Sequence, residues 1–407
     1  MPSSQPFPPA FLWGAATSAH QTEGNNLGSD WWRLEHQVGT FVAEPSGDAC
    51  DSYNRWREDL ELVAAAGLNS YRFSIEWARI EPARGAFSAA QLAHYGRVID
   101  TAIDLGLTPL VTLHHFTNPA WLAAMGGWAH PEAPALFARY CAHLAPILEP
   151  VGHICLINEP NMVALFPVIA AAGGMAGLAG LPLPDARLTQ GIIQAHDAAR
   201  SALRQTLPGA RLGWSIASQT YHPEPGAEAL AAEYQRASED IFYDAAAGDD
   251  WIGVQAYTCR RVKAVDGALQ AAPRPGSQRT GTGWEYYPDA LPECVRRVAR
   301  LTGLPILVTE NGIATADDAR RVAYTAAALD GLAKALADGI VLLGYYHWSL
   351  LDNYEWGSFE PTFGLVAVDR ATFARTPKPS WAHLGAIARA GRLPTGEPSA
   401  PGAVLGV

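Results

Sequence analysis

Two glutamates stand at the ends of apolar runs, where an ionised side chain is costly to keep. Glu159 closes HICLINE (153–159) and Glu310 closes LPILVTE (304–310). A carboxylate buried after an apolar strand loses free energy unless it is paired or takes part in chemistry. Two such groups that face each other could supply a proton donor and an anion, the combination that cleaves a glycosidic bond. We therefore take them as candidate catalytic residues.

Two further polar residues could keep one of these glutamates ionised. Arg72 lies in NSYRFSIEW (69–77) and Tyr257 closes WIGVQAY (251–257), so a cation and a hydroxyl donor are available. Carboxyl groups about 5–5.5 Å apart would indicate retention of configuration through a covalent intermediate, and a wider gap would indicate inversion. The alternative is that both glutamates are only structural ion-pair partners of Arg72.

A third group of residues could recognise a sugar. The chain contains 13 Trp and 14 Tyr. Indole faces can stack on the C–H faces of sugar rings, and sugar hydroxyls need directed polar partners. For the tryptophans in this group the alternative is an ordinary place in the core. The candidate set is Gln21, His115, Asn158, Trp348, Glu355 and Trp356.

The residues that commonly bind metals do not form a metal-binding pattern. His114 and His115 are adjacent, so on a strand they would point to opposite faces. The five cysteines have long spacings and no C-x-x-C pair, which indicates buried free thiols rather than a disulfide framework or a zinc site. We expect no metal and no other cofactor.

Eight short β-rich runs must position these side chains, and helical segments separate most of them. Eight strands that alternate with helices, without a Gly-rich phosphate loop, predict a single α/β (β/α)8 barrel, in which the strand ends converge on one mouth. A doubly wound open sheet is the alternative fold. The predicted strands are 11–17, 69–77, 107–115, 153–159, 211–218, 251–257, 304–310 and 341–349. The predicted helices are 53–66, 89–105, 134–148, 188–207, 288–302 and 319–337.

The barrel is expected to occupy about residues 7–390 of one domain that spans 1–407. Residues 170–180 and 267–283 are predicted to be long loops, because they are rich in Ala and Gly or in Pro and Gly. The segment 391–407 is predicted to be an irregular tail.

Composition narrows the range of partners. The net charge is −11 with no Lys/Arg-rich run, which argues against nucleic acid as a partner. The chain is 49% hydrophobic, yet no apolar run approaches the roughly 18 residues of a membrane span. No secretory signal is visible, so we expect a cytoplasmic protein that acts on a small molecule, alone or as a homo-oligomer.

Five motifs together resemble glycoside hydrolase family 1, the β-glucosidase family. One such motif would be weak evidence, but five in order, from Phe7 to about Leu384, are specific. The resemblance implies a retaining β-glycosidase, most simply a β-glucosidase that acts on terminal non-reducing residues. The motifs are FLWGAATSAHQTEG, YRFSIEWARIEP, LINEP, ILVTENGI and WSLLDNYEW.

The resemblance also assigns roles to residues of this chain. Glu310 would attack the anomeric carbon, and Glu159 would protonate the leaving oxygen and later activate water. Arg72 and Tyr257 would hold the nucleophile, and Asn158 would bind the 2-hydroxyl of the sugar. The remaining implied sugar contacts are Gln21, His115 and Trp356 to the 3- and 4-hydroxyls, Glu355 to the 4- and 6-hydroxyls, Trp348 as a stacking floor, and Phe363 at the rim.

Two stretches depart from the family pattern. Gln255-Ala256-Tyr257-Thr258 replaces the usual Asn-Tyr-Tyr-Thr, which predicts a changed outer wall of the sugar site. The segment after Trp356 is one residue shorter than usual and the chain is short for the family. We therefore expect an open mouth that tolerates bulky or aromatic aglycones.

Four alternatives share the same scaffold. β-Galactosidase or β-fucosidase activity and transglycosylation would use the same site. A 6-phospho-β-glycosidase is disfavoured because the Glu355 anion would repel a phosphate, by about 4 kcal/mol at 4 Å and an effective dielectric near 20. A non-catalytic sugar-binding barrel is disfavoured because both glutamates are retained.

Overall fold

The computed structural model describes residues 6–173 and 180–394 of the 407-residue chain. Eight parallel strands close into a barrel in which each strand pairs with the next barrel strand along the chain and the last pairs with the first. The predicted (β/α)8 fold is confirmed, and each predicted strand run coincides with one barrel strand to within a few residues at each end. The barrel strands are β1 (Leu12–Ala16), β2 (Ser70–Ser74), β3 (Thr108–Thr112), β4 (His153–Asn158), β5 (Arg211–Ala217), β7 (Trp251–Gln255), β10 (Ile306–Asn311) and β11 (Leu342–Trp348).

The six predicted helices are confirmed, with ends within about two residues of the expected ones. They are α3 (Ser52–Ala66), α5 (Ala89–Asp104), α7 (Ala133–Leu148), α9 (Ala186–Thr206), α12 (Ala290–Thr302) and α13 (Asp318–Ala337). The side chain of Asp185 caps the start of α9 by accepting from two backbone N–H groups. Gly67 and Gly303 end α3 and α12 in the left-handed conformation that glycine adopts without strain.

Shorter helices fill the connections at both ends of the barrel, and one longer helix closes the described part of the chain. The remaining α-helices are α1 (Ala19–Thr22), α2 (Asp30–Glu35), α4 (Trp77–Ile80), α6 (Ala120–Ala124), α8 (Pro160–Ala171), α10 (Glu228–Gln235), α11 (Ile241–Ala245) and α14 (Pro379–Ala390). A π-helix spans Arg236–Asp240, and 3-10 turns span Gly127–Ala129 and Ala246–Gly248.

A small sheet stands outside the barrel, next to its mouth. It consists of β6 (Thr220–Pro223), β8 (Cys259–Val265) and β9 (Ala268–Ala271) in the order β6-β8-β9. A second pair, β12 (Val366–Val368) and β13 (Arg375–Pro377), precedes α14. The sheet packs its own apolar cluster, which includes Val262 and Leu269, against α10. It therefore forms a fixed wall beside the strand ends.

Two loop predictions need correction. Residues 170–171 belong to α8, because the helix continues past Pro167, and residues 174–179 lie outside the described part of the chain. Within 267–283, the strand β9 pairs with β8 through alternating backbone contacts, so only the remainder is irregular. The predicted tail is described as far as Pro394, where it is irregular, and 395–407 lie outside the described residues. None of the helices in the described ranges is long and apolar enough to span a bilayer.

Candidate active site

The carboxyl ends of the barrel strands surround one cavity of about 540 Å³. Most of the predicted site residues line it directly. Arg72 and Asn158 lie beneath its floor and are fully buried. The predicted residues in the lining are Gln21, His115, Glu159, Tyr257, Glu310, Trp348, Glu355, Trp356 and Phe363.

Glu310 is surrounded by hydrogen-bond donors. The guanidinium of Arg72 lies 2.5 Å from Oε1, and the hydroxyl of Tyr257 donates to Oε2 at 2.5 Å. The side-chain amide of Gln255 also donates to Oε1, at 2.8 Å. Donors to the ionised form and a nearby cation both favour the carboxylate anion. Arg72 is held in turn by Thr112, whose hydroxyl accepts from Nε at 3.2 Å.

Irregular strand geometry places Glu310 at the mouth. The pairing of β10 with β7 shifts register between Val308 and Glu310, so the alternation of side chains is interrupted there. Leu307 belongs to the apolar cluster inside the barrel. The irregularity turns the carboxylate into the cavity above that cluster.

Glu159 has a different environment, although it lines the same cavity. It is the residue before α8, with φ of 44°, and its backbone N–H donates to the carbonyl of Ser215 at 2.7 Å. Its side chain is half-buried and accepts no hydrogen bond from the described residues. Burial and then the charge of Glu310 raise the pKa of Glu159 well above its ordinary value. These surroundings favour the protonated form of Glu159.

The two carboxyl groups differ in how strongly their neighbours oppose the increase in pKa that burial causes. Burial also raises the pKa of Glu310, but Arg72 and the Tyr257 hydroxyl both oppose that rise. Only the charge of Arg72, without a hydrogen bond, opposes the rise in the pKa of Glu159. When the pair shares one proton, the proton belongs on Glu159 and the negative charge on Glu310.

A hydrogen-bonded layer below the cavity connects the strand ends that carry Glu159 and Glu310. Asn158 Oδ1 accepts from Arg72 and, at 2.7 Å, from Gln255 Nε2. The amide nitrogen of Asn158 consequently points to His115, 3.4 Å from its Nε2. His115 is neutral here, because burial and then Arg72 lower its pKa well below the ordinary value.

The opposite side of the cavity combines a carboxyl group with indole rings. The indole N–H of Trp348 donates to Glu355 at 3.1 Å, and the amide of Gln21 approaches the other carboxyl oxygen at 3.5 Å. His115 stacks near both Trp348 and Trp356, with ring centroids 5.9 and 6.0 Å apart. Burial raises the pKa of Glu355 to about 8. Flat rings beside directed polar atoms are suited to a polyhydroxylated ring.

Three non-glycine residues of this cavity have a left-handed backbone. They are Phe116 at φ 67°, Glu159 at φ 44° and Trp356 at φ 55°. Such conformations cost of order 1–3 kcal/mol each and concentrate at functional sites. Five other described non-glycine residues share this conformation outside the cavity lining, so the conformation adds to the case for this site without carrying it.

The prediction that Gln255 and Ala256 belong to an outer wall of the sugar site is wrong. Gln255 is 1% exposed and touches Glu310 and Asn158, so it belongs to the innermost layer of the site. Ala256 is fully buried, and its carbonyl accepts from Asn311. The alternation of side chains along β7 is enough to predict the inward position of Gln255, because Gln255 lies on the same face of the strand as the buried Trp251.

Sequence reasoning also missed Trp284. Its ring lies 5.7 Å from that of Tyr257 and 6.2 Å from that of Phe363, and it lines the outer part of the cavity. Trp284 follows the small sheet in a segment without periodic pattern, so no local signal marks it. A flat ring in this position could stack on a group that enters the outer part of the cavity.

No cluster of three or more metal-ligating side chains occurs within residues 6–173 and 180–394. His114 does not line the cavity, and its ring contacts the side chain of Asn118 at 3.1 Å. His115 instead lines the cavity. The two histidines thus point in different directions and do not form a two-histidine site.

Comparison with known proteins gives a consistent result. The family profile for glycosyl hydrolase family 1 matches residues 3–246 and 246–392. Beta-glucosidase A of Thermotoga maritima is 30% identical over 432 aligned positions, covering 92% of this chain and 96% of the relative.

Solved structures agree with this match. The crystal structure of beta-glycosidase BGL167 superposes with a TM-score of 0.86 at 43% identity, covering 97% of this chain and all of the other. A beta-glucosidase from Thermotoga maritima in complex with deoxynojirimycin superposes with a TM-score of 0.87 at 28% identity, covering 96% of this chain and all of the other. The chain therefore belongs to glycosyl hydrolase family 1 and is a retaining β-glycosidase that hydrolyses O-glycosidic bonds.

Proposed function

We propose that this enzyme removes terminal non-reducing β-D-glucosyl residues, with Glu310 as nucleophile and Glu159 as acid/base. One observation carries the assignment: the two carboxyl groups share a cavity but differ in partners. Glu310 has three donors, whereas Glu159 has no side-chain hydrogen bond from the described residues. The first arrangement favours an anion and the second a protonated acid.

The reaction follows from this asymmetry. A carboxylate oxygen of Glu310 attacks the anomeric carbon while Glu159 gives its proton to the leaving oxygen, which forms a glycosyl-enzyme ester and releases the aglycone. Glu159 is then an anion, and it takes a proton from water as the water attacks the anomeric carbon. The ester bond breaks, Glu310 regains its charge, and Glu159 is protonated again.

The other predicted residues have supporting roles in this proposal. Arg72 and Tyr257 hold the nucleophile. Asn158 is proposed to bind the 2-hydroxyl through its amide nitrogen, which lies beside His115 just below the cavity. Trp348 offers the stacking floor, and Phe363 borders the exit towards Trp284. The proposed contacts to the 3-, 4- and 6-hydroxyls are Gln21, His115, Trp356 and Glu355.

Glucose is the proposed glycone because the relatives with similar chains are named for glucosides. Galactose and fucose remain alternatives, since they differ at hydroxyls that would face Gln21 and Glu355. A panel of aryl β-glucoside, β-galactoside and β-fucoside, compared by kcat/KM, tests the glycone. Preference for either alternative by more than tenfold would replace glucose in the proposal. Transglycosylation would be seen as product glycosides when an acceptor sugar is added.

Product configuration in the presence of azide tests the two catalytic roles. In Glu310→Gly, azide can enter the space of the lost carboxylate and attack an activated aryl glucoside directly, so we expect an α-glucosyl azide. In Glu159→Gly, the covalent intermediate still forms and azide attacks it from the other side, which gives a β-glucosyl azide. Exchanged configurations would reverse the assignment, and full activity of Glu310→Gly would refute it.

Glu293 provides a matched control for these variants. Its carboxylate accepts a hydrogen bond from the hydroxyl of Tyr287 at 2.7 Å, as Glu310 does from Tyr257, but it does not line the cavity. We expect Glu293→Gln to keep its activity and to form no glucosyl azide faster than the wild type.

A single domain over 1–407, a cytoplasmic location and the oligomeric state remain predictions.

A further inference from the structure

The cavity continues outward past the catalytic carboxyl groups, and its outer end has a charge pattern of its own. Arg260, Arg261 and Arg279 line this end together with the carboxylates Glu239 and Glu285. Three cations on one wall are unusual in a chain whose net charge is −11. What the wall can bind depends on which of these charges are already paired.

Two of the charges at the outer end are paired with each other. Arg261 donates to both carboxyl oxygens of Glu285, with N···O distances of 3.0–3.2 Å. Glu239 is paired on its far side with Arg297, at 3.3 Å, and Arg297 is outside the cavity lining. Both carboxylates of the wall thus have a cation already.

Arg260 has no such partner. Within residues 6–173 and 180–394 it forms no ion pair and no side-chain hydrogen bond, although it is half-buried. Arg279 is exposed at the rim, and within the same ranges its side chain donates only to the carbonyl of Gly283, at 3.5 Å. The hydrogen bonds from Arg261 and, to a lesser degree, the charge of Arg279 lower the pKa of Glu285, but Arg279 and Glu285 form no ion pair. Among the residues that the structure describes, the outer end therefore presents two guanidinium groups without an ion-pair partner.

The backbone around Arg260 holds it in a defined place. Arg260 lies in β8 and pairs in register with Tyr221 of β6. Tyr221 packs edge-on against Tyr234, with ring centroids 5.6 Å apart, and both tyrosines line the same cavity. Val262, two residues along β8, is fully buried in the cluster beneath. Arg260 is thus built into the wall and is not part of a loose rim.

A half-buried guanidinium that has lost part of its hydration gains most from a carboxylate, which it can bind through two parallel hydrogen bonds. We propose that the aglycone site of this enzyme takes leaving groups that carry a carboxylate, with Arg260 as its main partner and Arg279 assisting at the rim. The proposal deepens the β-glucosidase function above and rests on it. The glycone side is unaffected, because the cations lie at the aglycone end.

Paired substrates of nearly equal shape test the proposal. The probes are 4-carboxyphenyl β-D-glucoside and its neutral counterpart 4-carbamoylphenyl β-D-glucoside, and the readout is the ratio of their kcat/KM values. Intrinsic differences between the leaving groups cancel when the ratio is compared between variants. We expect Arg260→Gln to lower the ratio about tenfold and Arg260→Lys to lower it less, because a lysine keeps the charge but loses the bidentate geometry.

Arg211→Gln is the matched control, because Arg211 begins β5 at the opposite end of the barrel and the change in net charge is the same. Its ratio should equal that of the wild type. Raising the salt from about 0.05 to 0.5 M should lower the wild-type ratio as well, since ions screen a partly exposed pair. This measurement does not depend on the folding of any variant.

The outcomes separate this proposal from the proposed function. Suppose that the wild type hydrolyses both probes. If the ratio of kcat/KM values is the same in Arg260→Gln as in the wild type, or does not change with salt, the proposed carboxylate site is wrong and the β-glucosidase function stands. If the wild type hydrolyses neither probe, the proposed function itself fails. A disaccharide of glucose β-linked to glucuronic acid, compared with cellobiose, shows whether a sugar acid is preferred to an aromatic acid as the source of the carboxylate.

Discussion

The side-chain amide of Gln255 joins the ends of β4 and β10, since it donates to Glu310 at 2.8 Å and to Asn158 at 2.7 Å. Arg72 makes contacts with the same two residues from the other side. Glu310 and Asn158 are thus held by a pair of donors rather than by the arginine alone. Because the Gln255 amide carries no charge and does not titrate, it can position Glu310, the proposed nucleophile, without exchanging a proton with it.

Removing this amide should slow the reaction at the nucleophile. Gln255→Leu deletes a hydrogen bond to an ionised group, worth roughly 1.5–3 kcal/mol, so we expect kcat/KM on an aryl β-glucoside to fall about 10- to 100-fold. Gln255→Asn keeps the amide on a shorter side chain and should lie between Leu and the wild type. Equal kcat/KM for Gln255→Leu and the wild type would show that Arg72 suffices.

The hydroxyl of Tyr257 should set the acid limb of the pH profile. It donates to Glu310 at 2.5 Å and opposes the burial that raises the pKa of that carboxyl group. In Tyr257→Phe the pKa of Glu310 rises further. Because the anion is the reactive form, the acid limb of kcat/KM should move to higher pH.

Tyr287→Phe is the control for this measurement. Tyr287 donates to Glu293 at 2.7 Å outside the cavity lining, so the same atom is removed from a carboxylate that does no chemistry. Its acid limb should match that of the wild type. An acid limb that stays in place in Tyr257→Phe, or moves to lower pH, would contradict the role given to Tyr257.

The basic limb should belong to Glu159. Its pKa is raised by burial and by the charge of Glu310, and its protonated form is the one that acts first, so wild-type activity falls as the pH rises through that pKa. In Glu159→Gly, assayed with an aryl glucoside whose leaving group needs no protonation, the basic limb of kcat/KM should vanish.

Two other carboxyl groups of the cavity could produce a similar limb. Burial raises the pKa of Glu239 to about 7 and that of Glu355 to about 8. We expect Glu239→Gln to retain the basic limb that Glu159→Gly loses. A limb that persists in Glu159→Gly and disappears in Glu239→Gln would reassign it to the aglycone end.

Much of the barrel could be predicted because its signals are local. Each barrel strand is a short apolar run, and the helices between them show the 3.6-residue period, so the count of eight follows from the sequence. The positions of Glu159 and Glu310 follow as well, because the ends of parallel strands meet at one mouth. These inferences need no knowledge of which residues touch.

The missed features depend on contacts between distant parts of the chain. Trp284 and the small sheet form part of the cavity only because the chain folds back over the strand ends. The Ala/Gly-rich composition of 170–180 predicted a loop, although α8 stays helical to Ala171. For Gln255 the alternation of β7 was sufficient, but comparison with the usual family sequence directed attention to the outer wall.

Trp284 should contribute to aglycone binding and not to the glycone. Its ring is 41% exposed and faces the space beyond Tyr257 and Phe363. In Trp284→Ala we expect KM for an aryl β-glucoside to rise about 5- to 10-fold through lost stacking, while that for methyl β-glucoside stays the same.

Trp32→Ala is the matched control, since Trp32 is partly exposed, stacks on His36 and does not line the cavity. The same substrates test the expected tolerance for large aglycones. Comparable turnover of small and bulky β-glucosides would support an open mouth, and a strict preference for disaccharides would contradict it.

Gly312 should be irreplaceable for a steric reason. A Cβ atom there would lie 2.0 Å from the carbonyl oxygen of Trp348, so the ends of β10 and β11 would have to separate. We expect Gly312→Ala to lower the free energy of unfolding by about 1–3 kcal/mol, as overpacked sites do. Because Glu310 and Trp348 lie on these strand ends, a shift near 1 Å should also lower kcat/KM by up to about 100-fold. Gly209→Ala, where an added Cβ meets nothing within 4 Å, should keep both the wild-type melting temperature and activity. A Gly312→Ala enzyme with wild-type stability and kcat/KM would show that the strand ends can separate without disturbing the nucleophile.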